Sequence, residues 1–141
     1  MVLTVACAIG ISHALITSGI SNHIADLIIG VTKSLGPVAV MSLIYIATAI
    51  LATFITNVAA ATIVFPIAYV TATHLGVDPR AFVITVIVAA SASFATPIYQ
   101  TNLIVQGPGG YRFKDYLKTG LPLNVIFLMV AIYLIPRIWQ F

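Results

Sequence analysis

Four long stretches of the chain contain no Asp, Glu, Lys or Arg, which restricts the chain to very few environments. They cover residues 2–18, 38–73, 81–95 and 121–136. Only 6% of the 141 residues are charged and 61% are hydrophobic, whereas about a quarter of the residues in a soluble domain are charged. Lipid tolerates apolar surface and penalises charge, so the sequence predicts a multi-pass helical protein of the cell membrane.

Turn-forming residues divide the chain into six predicted segments. Gly19 ends the first apolar run, and Gly36-Pro37 ends the amphipathic segment that follows it. The segments are a span at 2–18, an interfacial helix at 20–36, a re-entrant hairpin at 38–73, a broken span at 81–104, a loop at 105–120 and a last span at 121–139. The predicted fold is thus an all-α membrane protein with three transmembrane segments plus a re-entrant helical hairpin and a broken helix.

The longest uncharged stretch carries a polar pair, Thr56-Asn57, at its centre. Its two apolar arms, residues 38–55 and 58–73, are 18 and 16 residues long. At 1.5 Å per residue the second arm would reach about 24 Å, short of the hydrocarbon core of about 30 Å. Short arms joined by a polar tip predict a re-entrant hairpin, whose tip lies inside protein or faces a water-filled cavity.

A second polar interruption follows the third uncharged stretch, where residues 96–102 read TPIYQTN. One interpretation is that Pro97 kinks an ordinary helix and that the neighbouring polar groups satisfy the freed backbone. The other interpretation is a broken helix whose two ends face a ligand. The residues alone leave both interpretations open.

Basic residues are concentrated in one predicted loop. Arg112, Lys114 and Lys118 lie within residues 105–120, whereas each of the other two connecting regions holds a single Lys or Arg. The positive-inside rule therefore places this loop in the cytoplasm and the C-terminus outside. The net charge is +3, and the basic residues are scattered along the chain or lie beside the ends of predicted membrane segments. This distribution predicts contact with membrane lipid and no nucleic-acid partner.

The predicted membrane segments contain no Asp or Glu, since Asp26, Asp78 and Asp115 all lie in connecting regions, and no Lys or Arg lies at mid-depth. The hydroxyls of Thr48 and Thr53 are expected to bond to their own helix. The groups left at depth are hydroxyls, amides and freed backbone atoms at the two interruptions. A half-helix N-terminus suits an anion, and oxygen atoms at a half-helix C-terminus suit Na⁺. The pattern predicts sodium-coupled anion transport and no enzyme activity.

Three motifs carry a resemblance to a known family: ITNVAAATIVFPIA at 55–68, SASFATPIYQTN at 91–102 and GPGGYRFKDYLKTGLPLN at 107–124. Together they resemble the divalent anion:sodium symporter family, the carriers of dicarboxylates, citrate and sulfate. The likeness covers nearly the whole chain but only the C-terminal half of such carriers. It implies one inverted-repeat half of an ion-transporter fold, completed by the missing N-terminal half or by a homo-oligomer.

The resemblance also implies a site shared by the hairpin tip and the broken helix. In the family, a Ser-Asn-Thr signature at the tip and the helix break after it share one Na⁺ and part of the substrate. The substrate-binding residues implied for this chain are Thr56, Asn57, Gln100, Thr101 and Asn102. The implied Na⁺ ligands are Thr56, Asn57, Ile98 and Tyr99.

Two positions depart from the family pattern. Val58 stands where the tip signature usually has a Thr, which many members resembling sulfate carriers also lack. The familiar family sequence is Thr-Pro-Ile-Gly-Tyr-Gln-Thr-Asn, and this chain lacks the Gly, so that Ile98 is followed directly by Tyr99. A Gly at such a place supplies backbone freedom and a close approach to an ion. Either the helix unwinds one residue further into Ile98, or the ion site is lost.

These observations predict a partial sodium-coupled symporter for divalent anions, with a dicarboxylate or sulfate as its substrate. Two alternatives stay open at this point. One is a non-transporting membrane remnant or structural partner subunit. The other is a related carrier for arsenite or protons, which the lack of carboxylates in the predicted membrane segments disfavours.

Overall fold

The computed structural model describes residues 2–32, 36–92, 94, 104, 108–110 and 112–139 of the chain. The helices within this part are α1 (Val2–Thr17), α2 (Ile20–Thr32), α3 (Pro37–Phe54), α4 (Asn57–Leu75), α5 (Pro79–Ser91) and α6 (Phe113–Ile138). The predicted all-α fold class is confirmed. By length and composition α3, α4 and α6 can cross a membrane, whereas α1 and α5 contribute shorter apolar helices.

A three-residue connection joins α4 to α5, and its residues explain why one helix ends and the next begins there. Gly76 takes the left-handed conformation at φ 68° and closes α4, where its N–H donates to the carbonyls of Ala72 and Thr73. Asp78 accepts a hydrogen bond from the Arg80 N–H at 2.9 Å and so caps the first turn of α5. Because the connection is short, α5 runs back alongside α4.

The hydrophobic core lies where α3, α4 and α5 meet. Phe82 of α5 is fully buried in this cluster, together with Met41 of α3 and Val64 of α4. Ala68 and Ala81 are also fully buried, and small residues of this kind let helix backbones approach closely in lipid. Around this centre, α6 packs on α3 and α5, while α1 and α2 pack on α4.

Two threonine hydroxyls of α3 bond to the backbone of their own helix. Thr48 donates to the Ile44 carbonyl at 2.7 Å, and Thr53 donates to the Ala49 carbonyl at 2.9 Å. The prediction for these two residues is confirmed. Each hydroxyl therefore has a hydrogen-bond acceptor within its own helix.

The last helix begins earlier than the sequence predicts. It starts at Phe113 and not at residue 121, so the final eight residues of the predicted loop 105–120 are helical. Asp115 accounts for the earlier start, because its carboxylate accepts the Arg112 N–H at 2.8 Å and caps the first turn.

The second arm of the hairpin is longer than predicted. The helix α4 has 19 residues, because Thr56 caps its start and Gly76 closes its end. At 1.5 Å per residue it is about 28 Å long, close to the thickness of the hydrocarbon core. Whether the hairpin is re-entrant or crosses the membrane twice stays a prediction.

The predicted broken span 81–104 is described only in its first part. The helix α5 begins at Pro79, two residues before the predicted start, and it ends at Ser91. The interruption predicted at residues 96–102 lies outside the described residues.

The side of the membrane on which each loop lies also stays a prediction, and cysteine labelling tests it. We expect Pro108→Cys to face the cytoplasm and Thr73→Cys, at the far end of α4, to face outward, because the basic residues cluster after residue 108. Both positions are exposed, and Cys7→Ser removes the native thiol. A membrane-impermeant maleimide added to intact cells should label position 73 and spare position 108. Equal labelling of the two positions would contradict the assignment.

Candidate ion and anion site at the hairpin tip

Two residues separate the helices of the hairpin at its polar tip. The helix α3 ends at Phe54, and the Ile55 N–H still donates to the Leu51 carbonyl at 3.1 Å. Ile55 and Thr56 are extended, with ψ angles of 178° and 147°, and α4 begins at Asn57. The C-terminus of one helix therefore lies directly beside the N-terminus of the next.

Thr56 is the N-cap of α4. Its Oγ1 accepts a hydrogen bond from the Ala59 N–H at 3.4 Å, and its carbonyl accepts one from the Ala60 N–H at 2.9 Å. The hydroxyl oxygen has a second lone pair, so capping leaves it able to contact a cation. Thr56 is exposed and can be reached from outside the chain. The residue that the resemblance assigns to the site thus also determines where α4 starts.

Helix ends of opposite polarity meet at the tip. The first turn of α4 presents backbone N–H groups and the positive end of the helix dipole, and it contains no acidic residue. The last turn of α3 presents carbonyl oxygens and the negative end of its dipole, and it contains no basic residue. Such a tip offers N–H donors to an anion and neutral oxygen ligands to a cation.

Apolar side chains flank the polar pair at the tip. Phe54 is 71% exposed and Val58 is 55% exposed, whereas Asn57 is half-buried between them. Irregular backbone at membrane depth is tolerated only where it is buried in protein or lines a water-filled cavity. If the hairpin is re-entrant, as predicted, its tip must adjoin a further protein segment or an aqueous cavity.

The titratable pair of side chains nearest the hairpin lies at its opposite end. His74, in the last turn of α4, places its Nδ1 3.2 Å from the Asp26 Oδ1 of α2. This pair is separated from the tip by most of the length of α4, which is about 28 Å. Within the described residues, the tip can thus attract ions through neutral dipoles and uncharged ligands.

The second group of predicted ligands lies outside the described residues: Ile98, Tyr99, Gln100, Thr101 and Asn102. The described helix α5 runs back toward the tip, because its residues Val86 and Ile87 line one pocket with Ala61 and Thr62 of α4. Its 13 residues cover about 20 Å of the length of α4, which is about 28 Å. With antiparallel axes, α5 would end about 10 Å short of the level of Thr56 and Asn57.

The sequence does not reveal two buried polar atoms that lie between α3 and α6. The Oη of Tyr45 on α3 and the Oδ1 of Asn124 on α6 are buried and have no hydrogen-bond partner in the described part of the chain. Asn124 interrupts the apolar stretch 121–136, which is a signal that the sequence does contain. The sequence gives no sign, however, of the helix that this side chain faces.

A packed bundle of apolar helices with a polar, uncharged hairpin tip is the arrangement expected of a membrane transporter. A family model described as a citrate transporter matches residues 1–140, and the chain belongs to this family. The resemblance to the divalent anion:sodium symporters and the multi-pass membrane location are confirmed.

Curated relatives support the same assignment. Over 92% of its own length, the chain is 38% identical to sodium/sulfate cotransporter 1 of Chlamydomonas reinhardtii. Over 99% of its own length, it is 38% identical to an uncharacterized transporter of Synechocystis. It is 33% identical to human solute carrier family 13 member 4 over 82% of its length. These matches cover 15%, 23% and 18% of the three relatives, so the chain spans less than a quarter of each.

Proposed function

We propose that the chain is one part of a sodium-coupled symporter for divalent anions, in which the hairpin tip binds both ions. The observation that carries this proposal is the meeting of the α3 and α4 ends without a charged residue in either turn. Three relatives named as sodium/sulfate cotransporters, 34% to 38% identical to this chain, favour sulfate as the anion. Val58, at the position where the tip signature usually has a Thr, agrees with that choice.

Neutral oxygen atoms hold the sodium ion in this proposal. The Thr56 hydroxyl and the Asn57 side-chain carbonyl supply two ligands, and the backbone carbonyls of Ile98 and Tyr99 supply the others. The exposure of Thr56 and the free lone pair of its Oγ1 support the first of these assignments. Uncharged oxygen ligands suit a hard monovalent cation, which loses less hydration energy than a divalent one.

Backbone and side-chain donors hold the anion. The N–H groups of the first turn of α4 face it, together with the side chains of Gln100, Thr101 and Asn102. Support comes from the first turn of α4, where the positive end of the helix dipole is not neutralised by an acidic residue.

Binding both ions at one tip explains how their transport is coupled. A divalent anion enters a site of low dielectric constant at high cost unless an opposite charge compensates it. Sodium bound at the adjacent helix end supplies that compensation, so each ion raises the affinity for the other by the same factor. The remaining ligands and the moving scaffold come from the rest of the carrier or from a second copy of the chain.

A chimera tests the proposed function. The chain replaces the matching 140 residues of the Synechocystis transporter, and the purified protein is placed in liposomes. We expect uptake of radioactive sulfate when an inward gradient of Na⁺ is imposed, and none when K⁺ replaces Na⁺. Uptake driven by a proton gradient without Na⁺ would contradict the coupling. A correctly inserted chimera that takes up no anion would contradict the transport role.

The missing Gly gives a separate prediction for the same chimera. Insertion of Gly between Ile98 and Tyr99 should raise the sodium affinity about 5- to 30-fold, because a non-Gly residue in the left-handed region costs about 1–2 kcal/mol. Insertion of Ala at the same place is the control, since it adds length without backbone freedom. The half-saturating Na⁺ concentration for sulfate uptake measures the effect. A Gly variant no better than its parent would show that the shorter sequence is not a damaged site.

A further inference from the structure

A groove of about 360 Å³ runs between α3 and α6. Its α3 wall includes Tyr45, Ala49 and Thr53, and its α6 wall includes Leu121, Val125 and Leu128. The spacing of three or four residues places each set on one face of its helix. Residues 45 to 53 extend over about 12 Å, so the groove is long enough to receive two turns of a third helix.

Two polar groups without partners line this groove. Tyr45 is only 2% exposed, and its Oη has no hydrogen-bond partner within the described residues. Asn124, on the opposite wall, has its Oδ1 buried and equally without a partner in that part of the chain. A buried polar group without a hydrogen bond is costly, and in a membrane no bulk water is available to replace the bond.

The chemistry of the groove distinguishes between its possible occupants. A lipid tail fills apolar space but offers neither a donor to the Asn124 Oδ1 nor an acceptor to the Tyr45 hydroxyl. A hydroxyl or amide side chain on a transmembrane helix offers both at once. Ala49 in the wall of the groove permits the close helix approach that such a contact needs.

The helix α6 is also the least covered of the long helices. In the apolar 18-residue stretch of α6, 11% of the residues are buried, compared with 33% in the corresponding stretches of α3 and α4. The Synechocystis transporter and sodium/sulfate cotransporter 1 are more than four times as long as their matching segments, so they contain further segments that can cover α6. We propose that the α3–α6 groove docks a transmembrane helix bearing a hydroxyl or amide side chain, supplied by the part of the carrier outside this chain. The proposal rests on the proposed function, because it assumes that the chain works inside a larger carrier.

Photo-crosslinking tests the docking site directly. The whole chain is co-expressed with the part of the Synechocystis transporter outside its matching segment, as a separate polypeptide. A photo-reactive amino acid is placed at Ile50 or Val125, which line the groove, and at Leu43 or Met129, which are exposed on the same helices outside it. We expect crosslinks to the second polypeptide at positions 50 and 125 to be several-fold stronger than at positions 43 and 129. Crosslinks at the groove positions to lipid alone, or to a second copy of the chain, would overturn the proposal.

Variants of the two polar residues provide an independent readout. Asn124→Leu and Tyr45→Phe should each weaken co-purification of the two polypeptides about 3- to 20-fold, the range measured for hydrogen bonds between membrane helices. Tyr133→Phe, an exposed tyrosine of α6 outside the groove, is the matched control and should change nothing. Loss of stability of the chain alone, with unchanged crosslinks and co-purification, would show that Tyr45 and Asn124 serve each other instead.

A failure of this proposal can be distinguished from a failure of the proposed function. Asn57→Ala should impair sodium-dependent uptake by the chimera but leave the crosslinks at positions 50 and 125 intact. Crosslinks confined to the control positions of the co-expressed chain, together with sulfate transport by the chimera, would overturn the docking site alone. Crosslinks at the groove positions of the co-expressed chain, together with a chimera that does not transport, would support docking and contradict the transport role.

Discussion

Replacing Asn57 by alanine should lower the sodium affinity of the chimeric carrier about 10- to 100-fold. The variant removes one oxygen ligand from the cation, and a polar contact to a charged group contributes about 1.5–3 kcal/mol. Asn57 is the first residue of α4 and lies half-buried at the tip, so its loss removes a ligand without opening the core. The measurement is sulfate uptake into liposomes as a function of Na⁺ concentration.

Two control variants separate binding from structure in this experiment. Asn22→Ala changes an exposed asparagine of α2, away from the tip, and should leave the Na⁺ dependence as it was. Thr56→Ser keeps both the cap of α4 and the hydroxyl ligand, so it should retain most of the affinity. An unchanged Na⁺ dependence in Asn57→Ala would mean that the tip is structural and that the ion binds elsewhere.

Replacing Phe82 by alanine should cost about 3–5 kcal/mol of the free energy of unfolding. The side chain is fully buried where α3, α4 and α5 meet, so its removal leaves a cavity that rigid helices cannot close. Unfolding of the chain in detergent micelles with increasing sodium dodecyl sulfate, followed by helix content, gives this free energy. Because α5 leads toward the predicted second half of the site, the variant should also reduce transport.

Phe65→Ala is the matched control for the packing prediction. Phe65 of α4 is 46% exposed and stacks on Tyr69 with ring centroids 6.3 Å apart. Its removal should cost less than half as much as the removal of Phe82, because much of its surface already faces outside the chain. Equal losses for Phe65→Ala and Phe82→Ala would contradict the position of the core.

Local chemistry made several helix boundaries predictable from the sequence. The helix α3 begins at Pro37, directly after Gly36, and α4 begins at Asn57, directly after its capping residue Thr56. The helix α6 starts eight residues before the predicted span. The local sequence signal for this N-terminus is Asp115 in the first turn, where a carboxylate can cap a helix.

The packing of the helices could not be predicted from the same sequence. On α4 the buried Val64 and Ala68 alternate with the exposed Phe65 and Tyr69, and the exposed residues are as apolar as the buried ones. Lipid-facing and protein-facing surfaces are both apolar in a membrane, so the period of hydrophobicity does not mark the contact face. For the same reason the sequence alone does not indicate that the Tyr45 hydroxyl lacks a hydrogen-bond partner among the described residues.

The candidate site was only partly accessible to sequence reasoning. The Thr56-Asn57 pair was found from its polarity inside an apolar stretch, and the structure adds that Thr56 caps α4 and remains exposed. The meeting of two oppositely polarised helix ends is a property of the backbone, and no single residue type encodes it. The roles assigned to residues 98–102 stay predictions, since these residues lie outside the described part of the chain.

Sodium protection of the tip tests the central claim most directly. Val58→Cys, in a Cys7→Ser background of the chimera, places a thiol on an exposed residue beside Asn57. We expect Na⁺ to slow its reaction with a water-soluble maleimide, sulfate to slow it further only when Na⁺ is present, and Asn57→Ala to abolish both effects. Leu27→Cys, exposed on α2, is the control and should react at one rate throughout. A Val58→Cys reaction rate that is the same in Na⁺ and in K⁺ would contradict a sodium site at the tip.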